Sequence, residues 1–182
     1  MKDISFKSDV LPLKDKIFRL ALRITLNRQD AEDVVQETLI KIWNRREHWD
    51  EIESLEAWGL TIARNMAIDA MRKQEKNRTL SIEENASQEE MLKGAVANTV
   101  ELSTHTPYEQ MHEKERLQLV KDLMNSLPEK QRTAMQLRDF EGKTYKEVAE
   151  IMDISEDQVK VNIFRARQFI KQKYNNISDY GL

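Results

Sequence analysis

Cysteine is absent from this chain, and proline and glycine are scarce, at three and four residues among 182. The first absence removes disulfides, thiolate metal sites and thiol catalysis together, and it fits a reducing compartment. The second leaves little turn material beside 34% charged residues, and apolar spacing is helical wherever it can be read, so the expected class is all-α. No apolar run approaches the length of a membrane span, and Met1 to Val10 lacks the apolar core of a signal peptide, so a cytoplasmic location off the membrane is expected. Histidine is rare too. Of His48, His105 and His112, only the last sits in a metal-like pattern, Glu109-x-x-His112, and a di-iron carboxylate site needs two such motifs on facing helices. Gly-rich phosphate loops, nucleophile elbows and zinc spacings are also missing, so neither an enzyme nor a cofactor or metal is expected.

What the chain does have is a stretch near its end that reads as two helices joined by a tight turn. Thr144 with Glu147 forms a T-x-x-E capping box and Ser155 with Gln158 an S-x-x-Q one. Each start opens its own apolar stripe. Tyr145, Val148, Ala149 and Met152 recur at i, i+3, i+4, i+7, and Val159, Ile163, Ala166 and Ile170 at i, i+4, i+7, i+11. A short helix, a turn and a longer helix make the helix-turn-helix pattern. The second helix carries five cations against two anions between Glu156 and Lys173, with Lys160, Phe164, Arg167 and Lys171 on an outer row and Arg165 beside them. Such a face suits phosphates and base edges. Taken alone, a solvated basic face on a small bundle explains it equally well.

The net charge of −3 is awkward for a protein gripping duplex DNA unaided, because affinity rests largely on phosphate neutralisation. Its distribution is more informative. Thr61 to Arg78 holds five cations and two anions, whereas Ser81 to Glu113 holds seven glutamates and one lysine. Two basic patches flank an acidic spacer. The chain is expected to touch DNA twice, weakly unless a partner holds it there.

Before that spacer three helices are expected. Ile17, Leu20, Ala21 and Ile24 mark the first. Asp30 is the expected N-cap of the second, which carries Ala31, Val35, Leu39, Ile42, Trp43 and Trp49 on or near one side and Asp33, Gln36, Glu37 and Ile40 on the other. Asp30 to Ile40 has four anions and no cation, which suits either a docking face for a basic helix or an ordinary dipole-matched helix start. After a loop from His48 to Ser54, Ser54 caps a third helix from Leu55 to about Lys76, with Trp58, Ile62 and Met66 on its buried side, Ala63 and Ala70 close by, and Asn65, Asp69, Arg72 and Lys76 on an exposed row. Residues 79–106 read as a flexible acidic linker with a little helix near Met91 to Val96. Thr106-Pro107-Tyr108-Glu109 then opens a helix burying Val120, Leu123, Met124 and Leu127. Pro128 restarts the chain, Gly142 closes the next helix in left-handed geometry, and fraying is expected after Tyr174.

Three of these stretches, in this order, resemble the extracytoplasmic-function sigma factors of bacterial RNA polymerase. Asp30-Ala31-Glu32-Asp33-Val34-Val35-Gln36-Glu37-Thr38 resembles the family's polymerase-binding signature. Ala57-Trp58, Ile62-Ala63-Arg64-Asn65 and Asp69 to Arg72 resemble its promoter-melting helix. Leu127 to Arg132, Tyr145 to Ala149 and Val159 to Arg167 resemble its upstream-element domain. The resemblance implies two small helical domains: residues 1–78 for polymerase binding and minus-10 recognition and melting, and 107–175 for minus-35 recognition through the helix-turn-helix. The linker, 79–106, would thread the polymerase's RNA path, and 176–182 would be a tail.

It also implies roles. Asp33, Gln36, Glu37 and Ile40 would dock on a coiled coil of the largest polymerase subunit, and the loop from His48 to Ser54 with Asn65 would capture a flipped minus-10 base. Arg64, Arg72, Lys73 and Lys76 would hold the backbone; Lys160, Phe164 and Arg165 would enter the minus-35 major groove, with Arg167 and Lys171 nearer phosphates. Where relatives commonly show a small polar residue and then an arginine, this chain has Val161 and Asn162, which opens an apolar contact to thymine methyls. The partners implied are polymerase core, promoter DNA and, as a further candidate, an anti-sigma antagonist. An autonomous helix-turn-helix repressor is the alternative, and a protein-binding adaptor a third; both would do without polymerase.

Overall fold

The computed structural model describes residues 5–84 and 107–179. Among them every regular element is helical. A π turn, Phe6–Val10, leads into α1 (Leu13–Thr25), α2 (Arg28–Asn44), a 3-10 turn at Arg46–Glu51 and α3 (Leu55–Glu84). Then come α4 (Pro107–Asn125), α5 (Glu129–Met135) with a π turn at Gln136–Phe140, α6 (Tyr145–Met152) and α7 (Glu156–Asp179). The expected little helix near Met91 to Val96 lies outside the described residues.

Local chemistry sets the element ends. Thr144 and Glu147 exchange both bonds of a capping box, and Ser155 and Gln158 do the same at 3.1 and 3.2 Å. Gly142 takes φ 69, the left-handed geometry that glycine adopts without a Cβ penalty. Ser54 Oγ accepts from Ala57 N at 3.2 Å, opening α3. Three boundaries differ from expectation. The cap of α2 is Asn27, whose side chain accepts from Asp30 N at 3.1 Å, so Asp30 lies in the first turn. α3 runs on to Glu84 rather than stopping near Lys76, across the division expected at residue 78, because no Gly or Pro in Asn77 to Glu84 breaks it. α7 likewise continues past Tyr174 to Asp179.

α1, α2 and α3 pack on one another around Ile17, Leu20, Ile24, Val34, Val35, Ile42, Leu60 and Ala63. Expected core residues are displaced at two places. Trp43 stands 45% exposed, because Trp49 from the 3-10 turn takes the inner seat and donates Nε1–H to Ile42 O at 3.0 Å. On α3 the buried residues include Leu60, Ala63, Ala67 and Ile68, while Trp58, Ile62, Met66 and Ala70 are half-buried. α3 packs against α1, α2 and α6, so no single stripe describes it.

In the second lobe Met124, Leu127, Met135, Ala166 and Ile170 form a small cluster. The rest of its apolar interior, including Leu137, Val148, Ile151, Val159 and Ile163, is continuous with the core of α1–α3. The lobes therefore share a seam, and polar groups fasten it. The Arg132 guanidinium donates to Arg23 O and Ile24 O at 2.8 and 2.9 Å and to Leu127 O at 2.8 Å, so a side chain of α5 caps the carbonyl end of α1. Arg19 forms a two-pronged pair with Glu141 at 2.8 Å on each arm. Lys143 Nζ and Lys16 Nζ converge on Glu56 Oε1 at 2.8 and 2.9 Å. Burial, with Arg132 close by, pushes Arg23 down to about 10, and its guanidinium is held by Gln136 and Asn125 of the second lobe.

Candidate nucleic-acid and polymerase interfaces

Three exposed faces carry the residues singled out by sequence. On α2, the sides turned to α1 and α3 bury Ala31, Val34, Val35, Thr38 and Ile42, which leaves Asp33, Gln36, Glu37 and Ile40 outward. Ile40 is 58% exposed beside these carboxylates. Asp33 accepts from Gln29 at 3.4 Å, a loose local bond that leaves its charge at the surface. The second lobe packs on α1 and α3, so this face stays open. Trp43 extends it, completing Gln36, Ile40, Trp43 at i, i+4, i+7, a spacing present in the sequence although an aromatic ring favours the interior. Phe6 and Trp49 contact its ring edge-to-face at 5.2 and 6.3 Å, and Arg46 stacks 4.9 Å over it.

On α3, Asn65, Arg72, Lys73 and Lys76 are exposed. Arg64 differs: it is half-buried, its Nη1 donates to Asn65 Oδ1 at 3.3 Å, and its Nε is buried without an acceptor. The segment before this helix, expected as a loop, is mostly the 3-10 turn, with His48 exposed and 3.3 Å from Glu51.

On α7, Val159, Ile163, Ala166 and Ile170 are buried, and Lys160, Val161, Phe164, Arg165, Arg167 and Lys171 are exposed. Their partners separate them. Nε and Nη2 of Arg167 donate to the two carboxylate oxygens of Asp139 in the turn after α5, the first at 3.0 Å, and this pairing raises its pKa. Arg167 thus braces α7 on its support. Lys160 keeps only an exposed contact to Asp157 at 3.4 Å. The face opposite the buried stripe is Val161, Phe164, Arg165 and Gln168; Gln168 is uncharged and so falls outside the pattern that the cations draw in the sequence. Among the described residues no group of three or more metal-ligating side chains occurs, and no helix is long and apolar enough to cross a membrane.

An acidic helix face, a basic row on a long helix and a supported helix-turn-helix together match a bipartite class of transcription factor. Residues 10–77 match the Sigma-70 region 2 family and residues 117–170 the Sigma-70 region 4 family. The chain is 31% identical over 159 residues to the ECF RNA polymerase sigma factor SigM of Bacillus subtilis, spanning 87% of this chain and 88% of that one. It is 33% identical over 156 residues to the ECF RNA polymerase sigma-E factor of Haemophilus influenzae, spanning 81% and 76%. Its structure superposes on the sigma factor RpoE, solved in complex with the anti-sigma factor NepR from Bartonella quintana, with a TM-score of 0.68 at 25% identity, covering 92% and 94% of the two chains. The chain belongs to the ECF family of RNA polymerase sigma factors. It is a promoter-specificity subunit of RNA polymerase, and the autonomous repressor is not favoured.

Proposed function

We propose that this sigma factor works through three separate grips, each on one of the faces above. Asp33, Gln36, Glu37 and Ile40 seat the chain on a basic coiled coil of the largest polymerase subunit. Charge complementarity orients the encounter, and Ile40 adds an apolar anchor. Asn65 and the turn from His48 to Ser54 receive a base extruded from the minus-10 element, while Arg64, Arg72, Lys73 and Lys76 hold the strand by its phosphates. Lys160, Val161, Phe164 and Arg165 enter the major groove of the minus-35 element, with Lys171 and Arg167 toward the backbone. Residues 1–78 and 107–175 are the two working units, 79–106 the acidic connection between them and 176–182 a tail. The chain itself catalyses no reaction and works in the cytoplasm. RpoE was solved with an anti-sigma factor, and an antagonist of that kind is a partner for this chain too.

The observation that carries this reading is the open face of α2, where four anions and no cation lie between Asp30 and Ile40 and an exposed isoleucine sits beside them. Reversing Asp33 and Glu37 to lysine together abolishes co-purification with polymerase core and leaves the helical circular dichroism unchanged. Undiminished co-purification removes the docking assignment. A gel shift with purified chain, core and promoter DNA then separates the grips from autonomous binding, because promoter-specific retention requires core.

A further inference from the structure

The outward face of α7 is not uniformly basic. Directly opposite its buried stripe, Val161, Phe164, Arg165 and Gln168 recur at i, i+3, i+4, i+7, and the first two are apolar. Val161 is 45% exposed and Phe164 63%, the largest exposure of any big apolar side chain among the described residues. A lone apolar residue in water needs no explanation. A pair on one face, bracketed by Lys160 and Arg165, is a different matter, because those cations would bring the face against a polyanion. Both residues also lie in the first half of the helix, the part that a recognition helix presents to base edges. Beside Val161 the Asn162 amide is engaged elsewhere: Asn162 is half-buried, and its Nδ2 donates to Gln158 O at 2.8 Å, back along its own helix. Arg167, tied to Asp139, does not compete for this face either.

We propose that Val161, flanked by Phe164, packs on the C5-methyl of a thymine in the minus-35 element and fixes the base at that position. The proposal rests on the reading of α7 as the minus-35 helix. Among the groups that base pairs offer in the major groove, the thymine methyl is the apolar one; the others are N7, O6 and O4 acceptors and the N4 and N6 amino donors. An isopropyl group can neither donate nor accept. Set against cytosine or a purine edge it would dry a polar group without replacing its water, and that loss disfavours the other bases. Lys160 and Arg165 supply attraction to the duplex on either side, so Val161 contributes discrimination rather than bulk affinity.

The test uses holoenzyme assembled from polymerase core and the full chain. An upstream element is first selected from a randomised promoter library, and each selected thymine is then replaced by deoxyuridine, which lacks only the methyl. One replacement should weaken wild-type holoenzyme about three- to fivefold, the worth of one buried methyl. The Val161→Ala variant, which keeps a good helix former on an exposed site, should bind thymine and deoxyuridine there equally. In a second selection, Val161→Ser should change the preferred base at that position. An equal deoxyuridine penalty in wild type and Val161→Ala, or an unchanged preference with serine, overturns the contact. A holoenzyme that selects no upstream sequence at all overturns instead the assignment of α7 to the minus-35 element.

Discussion

The two lobes differ in what they bury. Among the described residues, the buried polar side chains of α1–α3 are Thr25 and Thr38, hydroxyls on helices; in the second lobe they are Arg132, Thr133, Gln136 and Lys143. Three of these four do not serve their own lobe alone. Arg132 binds carbonyls of α1, Gln136 accepts from Arg23, and Lys143 pairs with Glu56 of α3. The second lobe thus spends its buried charge at the boundary, where ionised donors meet the unpaired end of one helix and a carboxylate on another. A buried charge of this kind is costly to strand, so the seam depends on geometry in a way that an apolar contact does not.

The comparison breaks most sharply at Arg132. Arg132→Ala removes donors from three carbonyls and should cost about 3 kcal/mol, the scale of losing charged hydrogen bonds to buried acceptors. In a thermal melt of a chain this size that is a fall of roughly 6–12 °C. A smaller effect comes from the ion pairs around Glu56. Burial works to raise its pKa, but the ammonium groups of Lys143 and Lys16 outweigh it and hold the carboxyl below the usual glutamate range. A depressed folded pKa gives stability that is complete above the ordinary glutamate value and fades as pH falls through the lower one. Lys143 is displaced the other way: burial works to lower its pKa, and Glu56 and Glu147 outweigh burial and raise it. Its share persists below the ordinary lysine range and disappears only in strong alkali. Stability should therefore be flat through neutral pH and drop at the acidic end, and Glu56→Gln should cost about 1 kcal/mol at pH 7 while flattening the acid limb. If the acid limb is unchanged in that variant, the Glu56 cluster is not holding the seam. The mildest effect is expected in the first lobe, where Thr38→Val should shift stability by less than about 1 kcal/mol, since the hydroxyl's contact is a 3.8 Å approach to Met66 Sδ.

The same contrast explains which parts were legible in the sequence. Capping boxes at Thr144 and Ser155, the left-handed Gly142 and the stripe Val159, Ile163, Ala166, Ile170 are decided within a turn or two of chain, and local rules find them. The seam is decided by residues more than a hundred positions apart, such as Arg23 and Arg132, and no local pattern marks an arginine as the cap of a remote helix. Trp43 and Trp49 illustrate the intermediate case. Either could fill the space under α2, and the choice fell to the one whose indole N–H reaches a carbonyl. Of the candidate site, the exposure of the α7 row follows from periodicity, but the half-burial of Arg64 and the tie between Arg167 and Asp139 needed the neighbouring elements to be placed in space.

The open side of α2 also sets an order of events. At about 3.4 Å per base pair, the roughly 25 pairs between the centres of the two promoter elements span some 85 Å. If each lobe holds one element, as proposed above, lobes that touch along a common interior cannot straddle that length and must part before both elements are held. The carboxylate row needs no such rearrangement. If that row is the docking face, as proposed above, capture by polymerase is available to the folded chain at an ungated, charge-assisted rate, and parting the lobes is deferred until the chain is already bound.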